Sequence, residues 1–253
     1  MKILLGGALG RMGREVTAAA AEAQVEIACG VDVAYTGQPS DYPIVSAFDQ
    51  ARQTADVLVD FSRPSALPEL LQLARKEKMP VVLCATGYNE AEIQMIEEAS
   101  REIPVFRSAN MSLGVNVLRH LAQEAARALG EDFDVEIVER HHRMKADSPS
   151  GTALMLYDSV REATETLRQP VFGRYGRTAQ RQPGEVGIHA VRGGTINGEH
   201  EVCFYGDGEE LILTHRAEKR SLFARGALRA AAFLMDKPAG RYDMQDLIRE
   251  MLR

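Results

Sequence analysis

Two stretches of this chain bring together residue types that can do chemistry. The first is Glu139-Arg140-His141-His142-Arg143-Met144-Lys145, followed directly by Ala146-Asp147-Ser148-Pro149-Ser150-Gly151-Thr152. Two histidines and three bases within seven residues are unusual in a chain with a formal net charge of −6. Imidazole titrates near neutrality and can act as a general acid, and a lysine can donate a proton or hold a carboxylate. Ser150-Gly151-Thr152 reads as a helix entry, whose N–H groups receive anions. A charge run is by default a solvated loop. Here the helix entry favours anion binding with proton donation, because it sets amides beside the bases.

The second stretch is Gly7-Ala8-Leu9-Gly10-Arg11-Met12-Gly13. A pyrophosphate needs backbone N–H groups with no side chain in the way, and a helix N-terminus adds partial positive charge. The spacing is G-x-x-G-x-x-G, with Leu9 where the common fingerprint has glycine. Taken alone, this is a tight strand–helix turn. The context points to a dinucleotide: a strand precedes, a helix follows, and Asp32 ends the next strand 19 residues after Gly13. Gly10 then sits under the pyrophosphate, Gly13 lets the helix pack on the strand, and Asp32 takes the ribose hydroxyls. Val33 follows Asp32, so no base stands beside the acid. A 2′-phosphate would be repelled unless Arg11 compensates, and NADH is expected to serve at least as well as NADPH. Cys84-Ala85-Thr86-Gly87 and Ser108-Ala109-Asn110-Met111 each end a strand, where parallel sheets line their ligand crevice. Plain strand–helix turns explain these two equally well.

The surrounding pattern supplies the elements that position these residues. Lys2–Leu5, Val25–Val31, Val57–Phe61, Pro80–Ala85 and Val105–Phe106 read as strands. Arg14–Ala23, Ser65–Lys78 and Glu90–Arg101 read as helices between them, the last opened by Asn89 with Glu92 three residues on. Tyr35–Ser46 reads as loop with a short strand at Ile44-Val45. Strands alternating with helices predict a doubly wound parallel sheet. After Ser112 the pattern changes to helix Gly114–Leu129, strand Val135–Val138, the polar stretch Glu139–Ser150 and helix Thr152–Ala163. Strands follow at Ile188–Arg192, Glu201–Tyr205 and Leu211–His215, with hairpin turns predicted at Asn197-Gly198 and Asp207-Gly208. This middle region is α+β with antiparallel pairing. Leu222–Met235 and Met244–Leu252 return to helix, and spacing leaves open which region they pack on.

Composition bounds the function classes. The 253 residues are 45% hydrophobic and 26% charged, which is ordinary globular composition. The acidic balance argues against bulk nucleic-acid binding. No stretch reaches membrane-spanning length, and the apolar run after Lys2 is too short for a secretory signal. Cys29, Cys84 and Cys203 are far apart and lack metal-ligand spacing, so reduced thiols, no metal and a cytoplasmic setting are expected.

The residues resemble the 4-hydroxy-tetrahydrodipicolinate reductase (dihydrodipicolinate reductase) family. The match rests on Gly7…Gly10-Arg11-Met12-Gly13, Asp60-Phe61-Ser62 and Ala109-Asn110-Met111-Ser112-Leu113-Gly114-Val115-Asn116. It continues through Glu139…His141-His142…Lys145, Asp147-Ser148-Pro149-Ser150-Gly151-Thr152-Ala153-Leu154 and Gly198-Glu199-His200. The resemblance implies a Rossmann-like domain, residues 1–112 plus 221–253, with an inserted α+β mixed-sheet domain, residues 113–220, that binds substrate and builds a homotetramer. It implies reduction of 4-hydroxy-tetrahydrodipicolinate, a small dicarboxylate, by NAD(P)H with release of water, in lysine biosynthesis. By the same resemblance His141 is the catalytic acid/base and Lys145 the proton donor. His142, Gly151 and Thr152 contact the substrate carboxylate. Gly7, Ala8, Leu9, Gly10, Arg11, Met12, Asp32, Cys84, Ala85, Thr86, Ser108, Ala109, Asn110 and Met111 contact the cofactor. Cys84 and Ala85 replace the family's usual Gly and Thr, Met111 its usual Phe and Ser148 its usual Ala. Another two-domain oxidoreductase of amino-acid metabolism would lack the Lys145–Thr152 motif. A redox-sensing regulator would lack the paired acid and anion site.

Overall fold

The structure, a computed structural model, describes residues 1–164 and 169–252. It divides into two units, one made of Met1–Leu113 with Arg220–Arg253, the other of Gly114–Lys219.

The first unit begins with strand β1 (Lys2–Gly6), helix α1 (Arg11–Glu22), β2 (Glu26–Val31) and the two-residue β3 (Ile44–Val45). β4 (Val57–Asp60), α2 (Leu67–Lys76), β5 (Val81–Leu83), α3 (Glu90–Ser100) and β6 (Pro104–Arg107) follow. α1 starts three residues earlier than expected from the sequence, directly after Gly10. The second unit holds α4 (Leu113–Leu129, whose first residue belongs to the first unit), β7 (Asp134–His141), α5 (Gly151–Glu162), β8 (Gln169–Phe172), β9 (Glu185–Arg192), β10 (Gly198–Tyr205) and β11 (Glu210–Ala217). The chain then adds α6 (Ser221–Leu234), β12 (Gly240–Tyr242) and α7 (Met244–Met251) to the first unit.

The first unit is a seven-stranded parallel sheet in the order β12-β6-β5-β4-β1-β2-β3. Its inner strands β1, β4, β5 and β6 are buried on both faces, as a doubly wound sheet requires. Ile3, Leu5, Val57, Val59, Val82 and Phe106 point to a core shared with α1, α6 and α7. Leu4, Leu58, Val81, Leu83 and Val105 point the other way, into a core shared with α2 and α3. Asn89 and Glu92 form a complete capping box on α3. Gly226 on α6 is pressed so close that a Cβ there would stand 1.7 Å from the Met111 carbonyl oxygen.

The second unit is a five-stranded mixed sheet in the order β11-β10-β7-β9-β8. β10 pairs antiparallel with both β11 and β7, whereas β9 runs parallel to both β7 and β8. The hairpin expected at Asp207-Gly208 joins β10 to β11. The one expected at Asn197-Gly198 does not form, because β7 lies between β9 and β10 and takes the hydrogen bonds of both. Purely antiparallel pairing is corrected in the same way. Helices α4 and α5 pack on one face through Leu118, Ala122, Ala153 and Leu156, against Val135, Ile137 and Val202. β7 continues three residues beyond the expected end. Its alternation places Val135, Ile137, Glu139 and His141 on the buried face, so His141 belongs to a strand and not to a loop.

Candidate active site

The strand registers gather the first set of residues. Gly6 pairs with Val31 and Asp60, Asp60 with Leu83, and Leu83 with Arg107, so the carboxyl ends of five strands lie level. The glycine turn, Asp32, Asp60-Phe61-Ser62, Cys84–Thr86 and Ser108–Met111 therefore follow one edge of one sheet. Gly7 takes φ +73°, where a side chain is strained. A Cβ on Gly13 would meet the Gly7 carbonyl oxygen at 2.2 Å, so only glycine lets α1 start this tightly against the turn. Gly10 caps α1 with no side-chain hydrogen bond, and the first turn holds no acid. That end of the helix is left positive and open.

Gly7, Leu9, Gly10, Asp32, Val33 and Arg63 line part of a pocket of about 460 Å³. Asp32 is held there from two sides: its carboxylate accepts the Leu9 N–H and the Ala34 N–H, both at 2.9 Å. Further lone pairs remain for hydroxyl donors. An open cationic helix end, a glycine cradle and a fixed acid at the next strand end suit a dinucleotide, so the residues present fit that group. Arg11 is exposed at the first position of α1, Met12 is half-buried, and Ala8 is buried against Gly30. Cys84 and Ala85 are half-buried and Thr86 is exposed. Ser108 donates to the Asn110 carbonyl, and Asn110 accepts the Ser112 N–H, shaping the turn after β6. Met111 faces the core instead, 4% exposed. At the centre of the edge, burial pushes the Asp60 carboxyl up to about 6 against the opposing effect of Ser62. Burial and the nearby Asp60 push the Cys84 thiol well up, so it is a neutral thiol.

The second set lies wholly in the second unit. Glu139 is completely buried on β7. Its Oε2 lies 2.5 Å from His141 Nδ1, and Arg192 on β9 donates to both of its oxygens at 2.7 Å. The Ser150 N–H donates to Oε1 at 3.0 Å. Burial alone would raise the Glu139 carboxyl, but the hydrogen bonds from Arg192, His141 and Ser150 bring it below its ordinary value. It is a carboxylate. Burial lowers His141, Glu139 opposes that, and the charges of Lys145 and Arg192 lower it further. With Nδ1–H donated to Glu139, Nε2 is the nitrogen that can exchange a proton. A Cβ on Gly198 would stand 3.1 Å from that Nε2, so the glycine keeps its approach clear.

Lys145 pairs with Asp147 at 2.9 Å and is largely covered, at 21% side-chain exposure. His142 is half-buried, and its backbone N–H donates to the Ile196 carbonyl at 2.7 Å. Ser150 caps α5, its Oγ accepting the Ala153 N–H at 3.1 Å and lying 3.0 Å from His200 Nε2. Gly151 is exposed at the first helical position with open space where a Cβ would stand, and Thr152 follows it, half-buried. Burial, reinforced by the neighbouring His141, lowers His200 to about 3, so it is neutral. Its ring meets that of His141 edge-on at 5.1 Å.

The structure thus brings Gly7, Leu9, Gly10 and Asp32 around one pocket. It links His141 to the Ser150–Thr152 helix entry through Glu139. Sequence reasoning assigned no chemical role to Glu139, His200 or Asp60. The available signal was strand alternation, which continues from Val135 and Ile137 onto Glu139 and His141.

Comparison with known proteins gives a consistent picture. The family model described as "Dihydrodipicolinate reductase, N-terminus" matches residues 1–111, and "Dihydrodipicolinate reductase, C-terminus" matches residues 114–248. The 4-hydroxy-tetrahydrodipicolinate reductase of Caldanaerobacter subterraneus subsp. tengcongensis is 48% identical, over 99% of each chain. That of Clostridium tetani is 43% identical, over 98% of this chain and 97% of its own. A dipicolinate-bound dihydrodipicolinate reductase from Paenisporosarcina sp. TG-14 shares the fold with a TM-score of 0.80 at 21% identity, over 98% of this chain and 99% of that one.

Proposed function

This chain belongs to the dihydrodipicolinate reductase family, and from that membership we propose how its residues divide the reaction. It reduces 4-hydroxy-tetrahydrodipicolinate to tetrahydrodipicolinate, a step of lysine and diaminopimelate biosynthesis, using a nicotinamide cofactor. One hydride and one proton enter, and the ring hydroxyl leaves as water. The bound cofactor supplies the hydride.

His141 is the acid/base, with its labile proton at Nε2, and Lys145 is the proton donor held by Asp147. The observation that carries this assignment is the 2.5 Å contact between His141 Nδ1 and the buried Glu139 carboxylate, which leaves Nε2 facing the clearance at Gly198. His142 and the α5 entry at Gly151 and Thr152 bind a substrate carboxylate. Gly7 through Met12 bind the pyrophosphate and Asp32 the adenosine ribose. Cys84–Thr86 and Ser108–Met111 border the rest of the cofactor, Met111 supporting that border from the core. Residues 1–112 with 221–253 form the cofactor domain and residues 113–220 the substrate and assembly domain. Asp32 disfavours a 2′-phosphate, so NADH serves at least as well as NADPH.

The enzyme works in the cytoplasm as a homotetramer. Among the described residues no helix is long and apolar enough to cross a membrane. The sheet face turned away from α4 and α5 exposes Val191, Tyr205 and Ile212, a surface suited to another copy.

The test is oxidation of NADH and of NADPH, started with the condensation product of pyruvate and aspartate semialdehyde. His141→Ala and Lys145→Ala are each expected to lower kcat by roughly 10²–10⁴-fold, the range for a lost general acid, while NADH affinity stays nearly constant. Near-normal turnover in either variant removes that residue from its role, and a strong preference for NADPH overturns the reading of Asp32.

A further inference from the structure

Glu139 uses all of its capacity on its own protein. Oε2 takes His141 Nδ1 and an Arg192 N–H, and Oε1 takes the Ser150 N–H and a second Arg192 N–H. Two donors per oxygen and complete burial leave nothing for a substrate. The carboxylate therefore acts through its neighbours. One oxygen fixes the ring of the proton-exchanging histidine, and the other fixes the backbone at the cap of α5.

Arg192 extends the same frame. Besides clamping Glu139, it donates to the Asp147 carbonyl at 2.6 Å and to the Val191 carbonyl at 2.9 Å. Asp147 in turn holds Lys145. On the far side, the Ser150 hydroxyl joins the α5 cap to His200, whose ring packs on His141. The chain from His141 to Ser150 carries Lys145, and it is tied at both ends to one buried carboxylate.

We infer that Glu139 is the positioning residue that sets His141, the Lys145 segment and the α5 entry in one fixed arrangement, with Arg192 as its counter-charge. The inference rests on the reading of His141 as the acid/base. Glu139 selects the Nδ1–H form of His141, so that Nε2 faces the clearance at Gly198. Without it the imidazole can rotate or change tautomer, and the anion-binding amides lose their register with the proton source. The groups facing His141 are Glu139 on its own strand, Arg192 on β9, His200 on β10, and Lys145 with its partner Asp147 on the connecting segment. His200 is itself paired across to His215 on β11.

The experiment compares Glu139→Gln, Arg192→Gln and Glu139→Asp in the full-length enzyme. It uses pH profiles of kcat/KM and the NMR titration of the His141 ring protons. An opposite charge at contact distance moves a titration by about 1–3 pH units. E139Q is expected to lower kcat at least tenfold. It should also move the descending limb, and the His141 titration, down by about one unit. R192Q removes a repelling cation and leaves the carboxylate facing His141, so both should move up. E139D keeps the charge, and should keep the limb in place while kcat falls.

Opposite shifts in E139Q and R192Q support the positioning role. Loss of activity with the limb and the His141 titration unmoved in both variants overturns it and leaves Glu139 as fold support. If E139Q does not fold, the R192Q shift against the unmoved E139D limb decides by the same criterion. Retained turnover in H141A would instead refute the acid/base assignment, which the NMR titrations do not depend on.

Discussion

Each unit buries one acidic side chain completely or nearly so, and the two are held in opposite ways. Asp60 closes β4 in the first unit at 1% exposure, with the Ser62 N–H at 3.1 Å and no cation in contact among the described residues. Glu139 lies in β7 at 0% exposure with Arg192, His141 and the Ser150 N–H around it. Burial pushes Asp60 up to about 6. The same force acts on Glu139, and its donors outweigh it. Burial sets the cost of a charge, and the partners decide whether the charge survives. One unit keeps a carboxyl near the point of neutralisation at the carboxyl edge of its sheet, and the other keeps a permanent anion bonded to a histidine ring.

Breaking the second arrangement should cost the most. Arg192→Leu leaves a buried carboxylate with its main counter-charge gone, and stability should fall by about 3–5 kcal/mol, read from urea unfolding. A loss under about 1 kcal/mol would mean that Glu139 is neutral or hydrated.

Asp60→Asn should act in the opposite sense. The folded carboxyl titrates near 6 against an ordinary value of 3.8, so the folded state binds the proton more tightly than the unfolded state. Stability from this group is complete below the unfolded value and is lost as pH rises through about 6. Removing the ionisation should therefore stabilise the enzyme at pH 8 by an amount on the order of 3 kcal/mol. The gain should vanish near pH 4, and melting temperatures at the two pH values check both halves. A wild type equally stable relative to D60N at both would show that Asp60 is as well partnered as Glu139.

The smallest effect calibrates the other two. Asn89→Ala removes an exposed capping box on α3, with neither buried acid involved. It should cost about 1 kcal/mol, independent of pH between 6 and 8.

The same contrast explains how far the sequence could be read. In the first unit, the candidate site is local: the turn, the helix start and Asp32 fall within one βαβ segment, and glycine spacing with apolar runs displays them. In the second unit, His141, Lys145 and the α5 entry are also local and readable. Their support is not, because Arg192 lies 53 residues from Glu139 and His200 50 residues from Ser150. A carboxylate at the head of a basic run looks like a solvated charge until β7 is known to continue through it. The Asn197-Gly198 signal misled for the same reason. A turn reports only that the chain reverses, and a third strand can still lie between the two arms. β12 escaped notice because three residues at a sheet edge, Gly240–Tyr242, carry no alternation to read.

The seating of α6 has a consequence for how the molecule is born. Ile3, Leu5, Val57 and Val59 share their core with Ala227, Ala230, Ala231 and Leu234, and Gly226 meets the backbone at Met111. As the chain leaves the ribosome, that face of the sheet emerges with only α1 to cover it. About 160 residues separate Val59 from α6, roughly 8–30 s at ordinary rates of synthesis. The second unit is continuous in sequence and is complete before then. The second unit is thus finished while the first still waits for its last helices, and any factor that shields nascent apolar surface should be needed there first.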